Sequence, residues 1–350
     1  MTSTPPTPPP NEDPRLLALA QWLRALPSHY GLHLSSMRPA SNDASFRRYF
    51  RFDSSDPRFG SLVVMDAPPP LEDCGPFVQA AKVLAGAGVS APEVYEADLK
   101  QGFLLLQDFG VTTYLEKLDA ASAPALYRDA CSALIKLQLA SRNGVFPPYD
   151  EVVLRRELML YPDWYVTRHK QMSLATADQA ILDDAFSKII ANNLAQPKVF
   201  VHRDYHSRNL MILAGAQNPG ILDFQDALYG PITYDLVSLL RDAYIRWDEQ
   251  QVLDWCIRYW DQARAAGLPV AAEFADFYRD FEWMGLQRHL KVLGIFARLN
   301  YRDGKDRYLA DMPLVLDYVR KALARYSAFN RFADLLDRIE GQARRSGLTF

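Results

Sequence analysis

The chain has 350 residues, of which 49% are hydrophobic and 23% are charged, and its formal net charge is -3. This length exceeds that of one average domain, so it predicts two lobes or domains with ample apolar core. A slightly acidic chain gives no electrostatic basis for binding nucleic acid or an anionic membrane, and a small molecule is the expected partner.

The chain begins with a Pro-rich segment and contains three widely spaced cysteines. Residues 1–14 lack the basic start and the apolar region of a signal peptide, and they predict a disordered tail. No apolar run is long enough for a membrane span. Cys74, Cys131 and Cys256 lack the spacing of a disulfide framework or a zinc site. They predict reduced thiols in a cytoplasmic protein, and no obligate protein partner is expected.

The first third of the chain predicts a small β-rich lobe. Apolar residues recur at helical spacing up to Leu26, and Pro27 ends that helix. Residues 41–45 are turn formers, and the alternating aromatic and basic residues after them indicate a strand. The predicted elements, in order, are a helix over 16–26, strands over 46–52 and 61–65, a helix over 77–87 and a buried strand over 102–107. Two strands that start from a small-residue loop are typical of a roof over nucleotide phosphates, although this loop lacks glycines.

The remainder is predicted to be mainly helical with a few short strands. Helical apolar faces occur at 126–137, 181–189, 236–247, 281–299 and 313–326. Strands are predicted over 198–201, 210–213 and 221–222, the last two joined by a turn rich in Gly, Asn and Pro. This hairpin is expected to bring the residues that flank it together.

Three polar residues around the hairpin have the spacing of a phosphotransfer centre. Asp204 stands five positions before Asn209, and Asn209 stands fourteen before Asp223. Transfer of a γ-phosphoryl group requires an acid that orients the acceptor hydroxyl and accepts its proton, and hard oxygen ligands for Mg²⁺. Asp204 suits the first role, and Asn209 and Asp223 suit the second. The alternative is two loop aspartates that cap turns, but the H-x-D-x-x-x-x-N pattern followed by a strand that ends in Asp favours the catalytic interpretation.

Neighbouring polar residues are predicted to have supporting roles. Asp235 precedes the helix at 236–247 and is expected to be its N-cap, because a capping carboxylate satisfies free N–H groups. Arg203 is expected to hold the catalytic loop, and His202 to pack in the interior. Asp226 is expected to close a turn, with a second metal as the alternative.

These motifs, together with residues 230–236, resemble those of the aminoglycoside phosphotransferase and choline kinase-like family. The resemblance covers nearly everything from Ser41 to Tyr326. It implies an α+β, bilobal, protein-kinase-like fold. A small β-rich N-terminal lobe would span 15–106, a larger mainly helical C-terminal lobe 107–350, and the hinge would lie at about 107–110.

The same resemblance implies which residues bind ATP and Mg²⁺. Asp204 would be the base, and Asn209 and Asp223 the metal ligands. The hinge segment that meets the adenine would consist of Gln107, Asp108 and Phe109.

Within that family, residues 45–51, 64–69 and 281–291 look most like those of the bacterial anomeric kinases for N-acetylmuramate and N-acetylglucosamine, which feed peptidoglycan recycling. The resemblance implies transfer of the ATP γ-phosphate to the C1 hydroxyl of an amino sugar. Two alternatives stay open. One is another small-alcohol kinase, for an aminoglycoside, choline or homoserine, and the other is a pseudokinase that binds nucleotide without chemistry.

Two positions depart from the kinase pattern. Met65 stands where kinases place the lysine that pairs with the α- and β-phosphates, and Gln79 stands near the expected partner glutamate. Both halves of the ion pair are therefore predicted to be absent together, since an unpaired charge in the cleft would be costly. Arg47 or Arg48 is the hypothesised source of the missing positive charge; a solvated or strand-packed arginine is the alternative.

Acceptor-binding residues are expected in the helical lobe. Arg288, Lys291 and Arg298 share one broad helical face, and an arginine there would suit a substrate carboxylate. A solvated helix face is the alternative. The further candidates are His206 and Arg208 in the catalytic loop and Trp164, whose ring would either stack on the sugar or belong to the core.

Overall fold

A computed structural model describes residues 13–41, 46–69 and 71–341. Residues 1–12 of the predicted tail and residues 42–45 of the predicted phosphate-covering loop lie outside these ranges. The helices in the described part are all too short or too polar to cross a bilayer. The three cysteines are buried and free, as predicted.

The secondary structure follows the predicted order. The helices are α1 (Pro14–Ala25), α2 (Gly75–Gly86), α3 (Tyr114–Lys117), α4 (Ala123–Leu139), α5 (Glu151–Leu158), a π-helical segment (Tyr161–His169), α6 (Thr176–Ala195), α7 (Tyr234–Leu240), α8 (Glu249–Ala265), α9 (Phe274–Asp303), α10 (Met312–Arg325) and α11 (Asn330–Ile339). The strands are β1 (Arg38–Ser41), β2 (Arg48–Asp53), β3 (Ser61–Asp66), β4 (Val94–Asp98), β5 (Phe103–Gln107), β6 (Lys198–Val201), β7 (Leu210–Met211), β8 (Gly220–Ile221) and β9 (Leu228–Pro231).

The N-terminal lobe is built on a five-stranded sheet in the order β1-β2-β3-β5-β4. All four pairings are antiparallel. Because side chains alternate along a strand, the sheet has two apolar faces. Phe52 and Leu62 pack with Leu19 and Leu23 of α1 in a small cluster of their own. Met65, on the opposite face, joins the main core together with α2 and the helical lobe.

A group of ion pairs around the buried carboxylate of Asp66 holds α1 on the sheet. Asp13 caps α1 by accepting a hydrogen bond from the backbone N–H of Arg15 at 2.8 Å. The Arg15 guanidinium forms an ion pair with Asp66, a fully buried residue at the end of β3. Arg48 on β2 forms ion pairs with the same Asp66 carboxylate and with Asp13. The helix and two strands are therefore tied together at one point.

The helical lobe surrounds α9, a helix of 30 residues that is buried along most of its length. Gly294 allows α9 to pack directly on the segment before the π-helix, since a Cβ there would lie 2.4 Å from the backbone of Leu160. Two small antiparallel pairs, β6-β9 and β7-β8, lie beside this helical core. The predicted hairpin is confirmed, with Leu210 opposite Ile221. A small lobe with an antiparallel sheet and a larger, mainly helical lobe confirm the predicted α+β, two-lobed fold.

One predicted helix is shorter than expected. The apolar spacing predicted a helix over 236–247, but α7 ends at Leu240 and Arg241 leaves the helical conformation. The reason is visible at Asp242, whose carboxylate accepts hydrogen bonds from the backbone N–H and the hydroxyl of Ser207 at 2.9 and 2.5 Å. The chain after α7 is therefore used to hold the loop before β7.

Candidate active site

The loop between β6 and β7 is held by α7. Asp235, in the first turn of α7, accepts hydrogen bonds from the backbone N–H groups of His202 at 2.6 Å and Arg203 at 3.0 Å. Burial raises the pKa of Asp235 to about 7, against the effect of these two donors. The expected N-cap role of Asp235 was wrong, because Thr233 occupies the N-cap position. Arg203 has a positive φ of 78°, and the buried N–H groups of this unusual backbone need an acceptor that their own segment does not supply.

The Arg203 side chain links the loop to the helical core, as predicted. Its guanidinium lies 2.6 Å from Glu157 Oε1 on α5, and Lys291 Nζ on α9 lies 3.1 Å from the same oxygen. The Tyr149 hydroxyl donates to the other oxygen of Glu157. Burial opposes the charge on Glu157, but Lys291 and Arg203 hold its pKa below the ordinary value. A buried carboxylate thus joins two cations from different elements.

The Asp204 carboxylate faces this positive environment without a hydrogen bond from any residue that the structure describes. Burial opposes its ionisation, but nearby positive charges lower its pKa below the ordinary value, Lys291 most strongly, followed by His206 and Arg288. Asp204 is therefore ionised at neutral pH and able to accept a proton from an incoming hydroxyl.

The hairpin brings Asn209 and Asp223 to the same place. Asn209 Nδ2 donates to the Asp204 carbonyl oxygen at 3.0 Å and to Asp223 Oδ2 at 3.3 Å. Gln225 donates to the other carboxylate oxygen of Asp223 at 2.7 Å. Because its amide nitrogen is used within the protein, Asn209 presents its oxygen, which is a hard ligand suited to Mg²⁺. Within the described ranges no cluster of three or more metal-binding side chains occurs, so a cation held here would take its other ligands from phosphate and water.

Arg47, just before β2, and Arg48, its first residue, point to different partners. Arg47 Nη2 lies 2.9 Å from Glu72 Oε2. Burial opposes its charge, but Tyr49 and Glu72 raise its pKa, and the pair of aspartates at 226 and 223 acts in the same direction. Arg47 therefore lies on the side of the proposed metal ligands. Arg48 is committed to Asp13 and Asp66 beneath the sheet, and the structure does not support a phosphate role for it.

The predicted absence of both partners of the usual roof ion pair agrees with the structure at the two positions concerned. Met65 is indeed fully buried in the core, and Gln79 donates to the Val145 carbonyl oxygen at 2.9 Å. However, a cation–carboxylate pair is present nearby, formed by Arg47 and Glu72. Arg47 was a predicted candidate, but its partner Glu72 was not predicted, because Glu72 lies in the segment before α2 and not in the helix.

The connection between the lobes is clamped by Asp108. Its carboxylate accepts hydrogen bonds from Arg51 at 2.5 and 2.9 Å and from the Ser61 hydroxyl at 2.6 Å. Burial opposes its charge, but these donors lower its pKa. The Gln107 backbone N–H bonds to Glu93 at 2.9 Å. Phe109 packs on Gly220, where a Cβ would lie 2.6 Å from its ring. The Asp108 side chain thus braces the hinge, and adenine would have to meet backbone groups.

Basic and aromatic side chains cover the other side of Asp204. Arg288 is 3% exposed, and its Nε donates to the Ser238 hydroxyl at 2.5 Å. The Arg208 guanidinium lies 3.6 Å from the ring centroid of Tyr244, and the His206 ring lies edge-on to the same tyrosine at 5.4 Å. The structure therefore brings three of the predicted acceptor residues, from two elements, to one side of the loop.

Two other predicted residues lie elsewhere. Trp164, in the π-helical segment, packs as a partly buried ring against the main core, and within the described part no hydrogen bond or ring contact joins it to the catalytic loop. The core alternative for this residue therefore fits the structure. Arg298 lies beside Arg302 and Asp303, away from Arg288 on the same helix.

Glu157 had no assigned role in the sequence prediction, although it joins the catalytic loop to α9. The feature of the sequence that could have revealed it is a charged residue among apolar residues at helical spacing, since Leu154 and Leu158 beside it are fully buried. Such a residue is rarely buried without a partner. Periodicity can therefore locate a buried charge, but it does not identify the partner.

Comparison with known proteins agrees with this geometry. The sequence profile of the phosphotransferase enzyme family matches residues 36–268. The chain is 51% identical over 298 residues to the N-acetylmuramate/N-acetylglucosamine kinase of Pseudomonas aeruginosa, covering 85% of this chain and 87% of that protein. It is 45% identical to the protein of the same name from Neisseria meningitidis, covering 96% of this chain and 99% of that protein.

Solved structures show the same fold at low sequence identity. A choline/ethanolamine kinase family protein from Mesorhizobium loti aligns with a TM-score of 0.61 at 18% identity, covering 93% of this chain and 99% of that one. An ADP-bound aminoglycoside phosphotransferase aligns with a TM-score of 0.55 at 14% identity, covering 88% of this chain and 97% of that one. The predicted kinase-like fold is thus confirmed. With a profile match over more than half of its length and relatives of this similarity, the chain belongs to the phosphotransferase enzyme family.

Proposed function

We propose that this enzyme transfers the γ-phosphoryl group of ATP to the anomeric C1 hydroxyl of N-acetylmuramate and N-acetylglucosamine. The observation that carries the proposal is the Asp204 carboxylate, ionised and without a hydrogen bond from the described residues, next to Asn209 and Asp223. The sugar acceptor is supported by the shared name of the bacterial relatives.

In the proposed reaction, the acceptor hydroxyl attacks the γ-phosphorus while Asp204 accepts its proton. A bond forms between the sugar oxygen and phosphorus, and the bond to the β-phosphate oxygen breaks to release ADP. An anomeric hydroxyl is more acidic than an ordinary alcohol, so a carboxylate with a low pKa is an adequate base. The main contribution of Asp204 is therefore orientation of the hydroxyl.

Other residues bind and neutralise the triphosphate in this proposal. Asn209 and Asp223 would hold Mg²⁺, which supplies positive charge to the phosphate oxygens. The Arg47–Glu72 pair replaces the usual lysine–glutamate pair above the phosphates. Adenine binds to the backbone of 107–109, at the boundary between lobes 15–106 and 107–350.

Charge around the acceptor side favours a sugar over a cationic alcohol. Arg288 and Lys291 are both buried next to Asp204, and Arg208 lies at the edge of the same region. Glu157 offsets the charge of Lys291 and Asp311 lies 4.0 Å from Arg208, but Arg288 has no such partner among the described residues. Choline and aminoglycosides are cations, and Arg288 would repel them. A neutral or acidic amino sugar suits the site better.

The test is phosphate transfer from ATP to each sugar, with choline and an aminoglycoside as comparison acceptors. We expect ADP release that depends on the amino sugars and a product with phosphate on C1 by ³¹P and ¹H NMR. Asp204→Asn is expected to reduce kcat by at least about 1,000-fold. Asp261→Asn, which changes an exposed carboxylate on α8, is the matched control.

Three results would refute the proposal in different ways. Turnover of choline or an aminoglycoside but of neither sugar would indicate another alcohol kinase. Nucleotide binding without any transfer would indicate a pseudokinase. Phosphate on another hydroxyl would refute the anomeric assignment.

If the proposal holds, the enzyme would act in the cytoplasm, where ATP is available, on sugars released during peptidoglycan recycling.

A further inference from the structure

Arg288 is a buried cation that forms no ion pair with any carboxylate of the described residues. Its Nε donates to Ser238, but its Nη1 is buried and has no hydrogen-bond partner among residues 13–41, 46–69 and 71–341. The other buried cations of this lobe are paired: Lys291 lies 3.1 Å from Glu157, and Arg241 lies 3.0 Å from Glu282. Because an unpaired buried cation is costly, an anionic group from outside the chain is expected to complete the site at Arg288.

The nearby acidic side chains are already in use. Asp235 accepts two backbone N–H groups with its two carboxylate oxygens. Asp204 is needed for the acceptor proton. Asp242 accepts hydrogen bonds from Ser207, and Asp311 lies 4.0 Å from Arg208. Burial lowers the pKa of His206, and its Nδ1 is buried without a hydrogen-bond partner in the described part of the chain. Arg288 is therefore the cation of this cluster that these carboxylates leave without an ion pair, and an anion on the acceptor side would pair with it.

We propose that Arg288 binds the carboxylate of an acidic sugar acceptor and thereby makes N-acetylmuramate a better acceptor than N-acetylglucosamine. This inference rests on the proposed function above. N-acetylmuramate carries a lactyl ether on C3 whose carboxylate is ionised at neutral pH, whereas N-acetylglucosamine has a neutral hydroxyl there. A guanidinium pairs with a carboxylate through strong, directional hydrogen bonds, and Arg288 has its terminal Nη1 to offer.

The γ-phosphate of ATP is also an anion that could pair with Arg288, so the experiment must distinguish it from the sugar carboxylate. We would measure kcat/KM for each sugar, and KM for ATP, in the wild type, Arg288→Met and Arg298→Met. Methionine keeps an unbranched apolar stem in both variants. Arg298 is the matched control, because it is on the same helix but lies beside Arg302 and Asp303.

For Arg288→Met we expect the ratio of kcat/KM for N-acetylmuramate to that for N-acetylglucosamine to fall at least about tenfold, because a charged hydrogen bond is lost. N-acetylglucosamine turnover should fall less, and the KM for ATP should change little. Arg298→Met should keep the wild-type ratio. On the unmutated enzyme, the carboxamide of N-acetylmuramate should lose a similar factor, which tests the contact without any risk of misfolding.

Several results would overturn the inference. An equal loss for both sugars would mean that Arg288 acts on Asp204 or on the fold. A raised KM for ATP with an unchanged ratio would assign Arg288 to the triphosphate. Full activity on the carboxamide would also contradict it.

Calorimetric measurement of the binding of the two sugars distinguishes failure of the proposed function from failure of the Arg288 inference. If the wild type transfers phosphate to neither sugar but binds N-acetylmuramate, and Arg288→Met loses that binding, the proposed function fails and the Arg288 inference stands. If the variant binds N-acetylmuramate as well as the wild type does, or if the wild type binds neither sugar, the inference is overturned.

Discussion

The carboxylate of Asp235 lies 2.6 Å from the backbone nitrogen of His202, a hydrogen bond that joins α7 to the catalytic loop. Its other oxygen accepts the N–H of Arg203. Asp235→Asn replaces one acceptor oxygen by an NH₂ donor that opposes a backbone N–H. We expect a loss of about 2 kcal/mol in unfolding free energy and a fall in kcat of about tenfold or more, because the loop and Asp204 are displaced.

That loss is measured by urea unfolding at pH 8, above the pKa of about 7 for Asp235, and by steady-state kinetics. Asp261→Asn is the control, since it makes the same chemical change at an exposed carboxylate on α8. If the Asp235→Asn variant kept the stability and the kcat of the wild type, α7 would not be what holds the loop.

Glu157→Gln is expected to destabilise the fold by about 3 kcal/mol, because it leaves Arg203 and Lys291 buried without a carboxylate. The matched control is Glu151→Gln on the same helix, whose side chain is exposed. The pKa of Glu157 is lowered in the folded state, so its stabilisation is present above its ordinary value of 4.5 and is lost as pH falls through the folded value. The difference between wild type and variant should therefore shrink in acid. A difference that grows in acid would contradict this account.

Lys291→Met is expected to move the acid limb of the kcat/KM profile to higher pH. Lys291 is the strongest of the charges that lower the pKa of Asp204, with His206, Arg288 and Arg203 contributing in the same direction. Without it, Asp204 is protonated at a higher pH, and activity that requires the ionised form is lost sooner on acidification. Lys321→Met, which changes a half-exposed lysine on α10, should leave the limb in place. An unmoved limb in Lys291→Met would refute the assignment of Asp204 as the base.

Arg47→Gln is expected to raise the KM for ATP by about tenfold, with a smaller effect on the KM for the sugar, because a charge above the phosphates is lost. Glu72→Gln should have a weaker effect in the same direction, since it frees the guanidinium that it positions. The control is Arg58→Gln, an exposed arginine paired with Asp56 in the same lobe. Equal KM values for ATP in the Arg47 and Arg58 variants would remove Arg47 from the nucleotide site.

Much of the fold was predictable because its signals are local. The helices α1 and α4 and the short strands around 198–222 were confirmed within a few residues of the predicted bounds, whereas α6 extends beyond the predicted face of 181–189 at both ends. The error at 236–247 has a tertiary cause: Asp242 bonds to Ser207, a contact that the periodicity of the segment cannot show. The N-cap prediction for Asp235 failed for the same reason, because its carboxylate oxygens accept hydrogen bonds from the backbone of His202 and Arg203 in a distant loop.

The candidate catalytic residues could be predicted from local spacing. Asp204, Asn209 and Asp223 flank one short hairpin, so their separation along the chain is enough to bring them together. The partners of Arg47 and Arg48, and the positions of Arg288 and Lys291 beside Asp204, depend on packing between distant elements and were not predictable from spacing. The physical reason is that strand and helix periodicity define which residues share a face, whereas packing between distant elements determines what that face contacts.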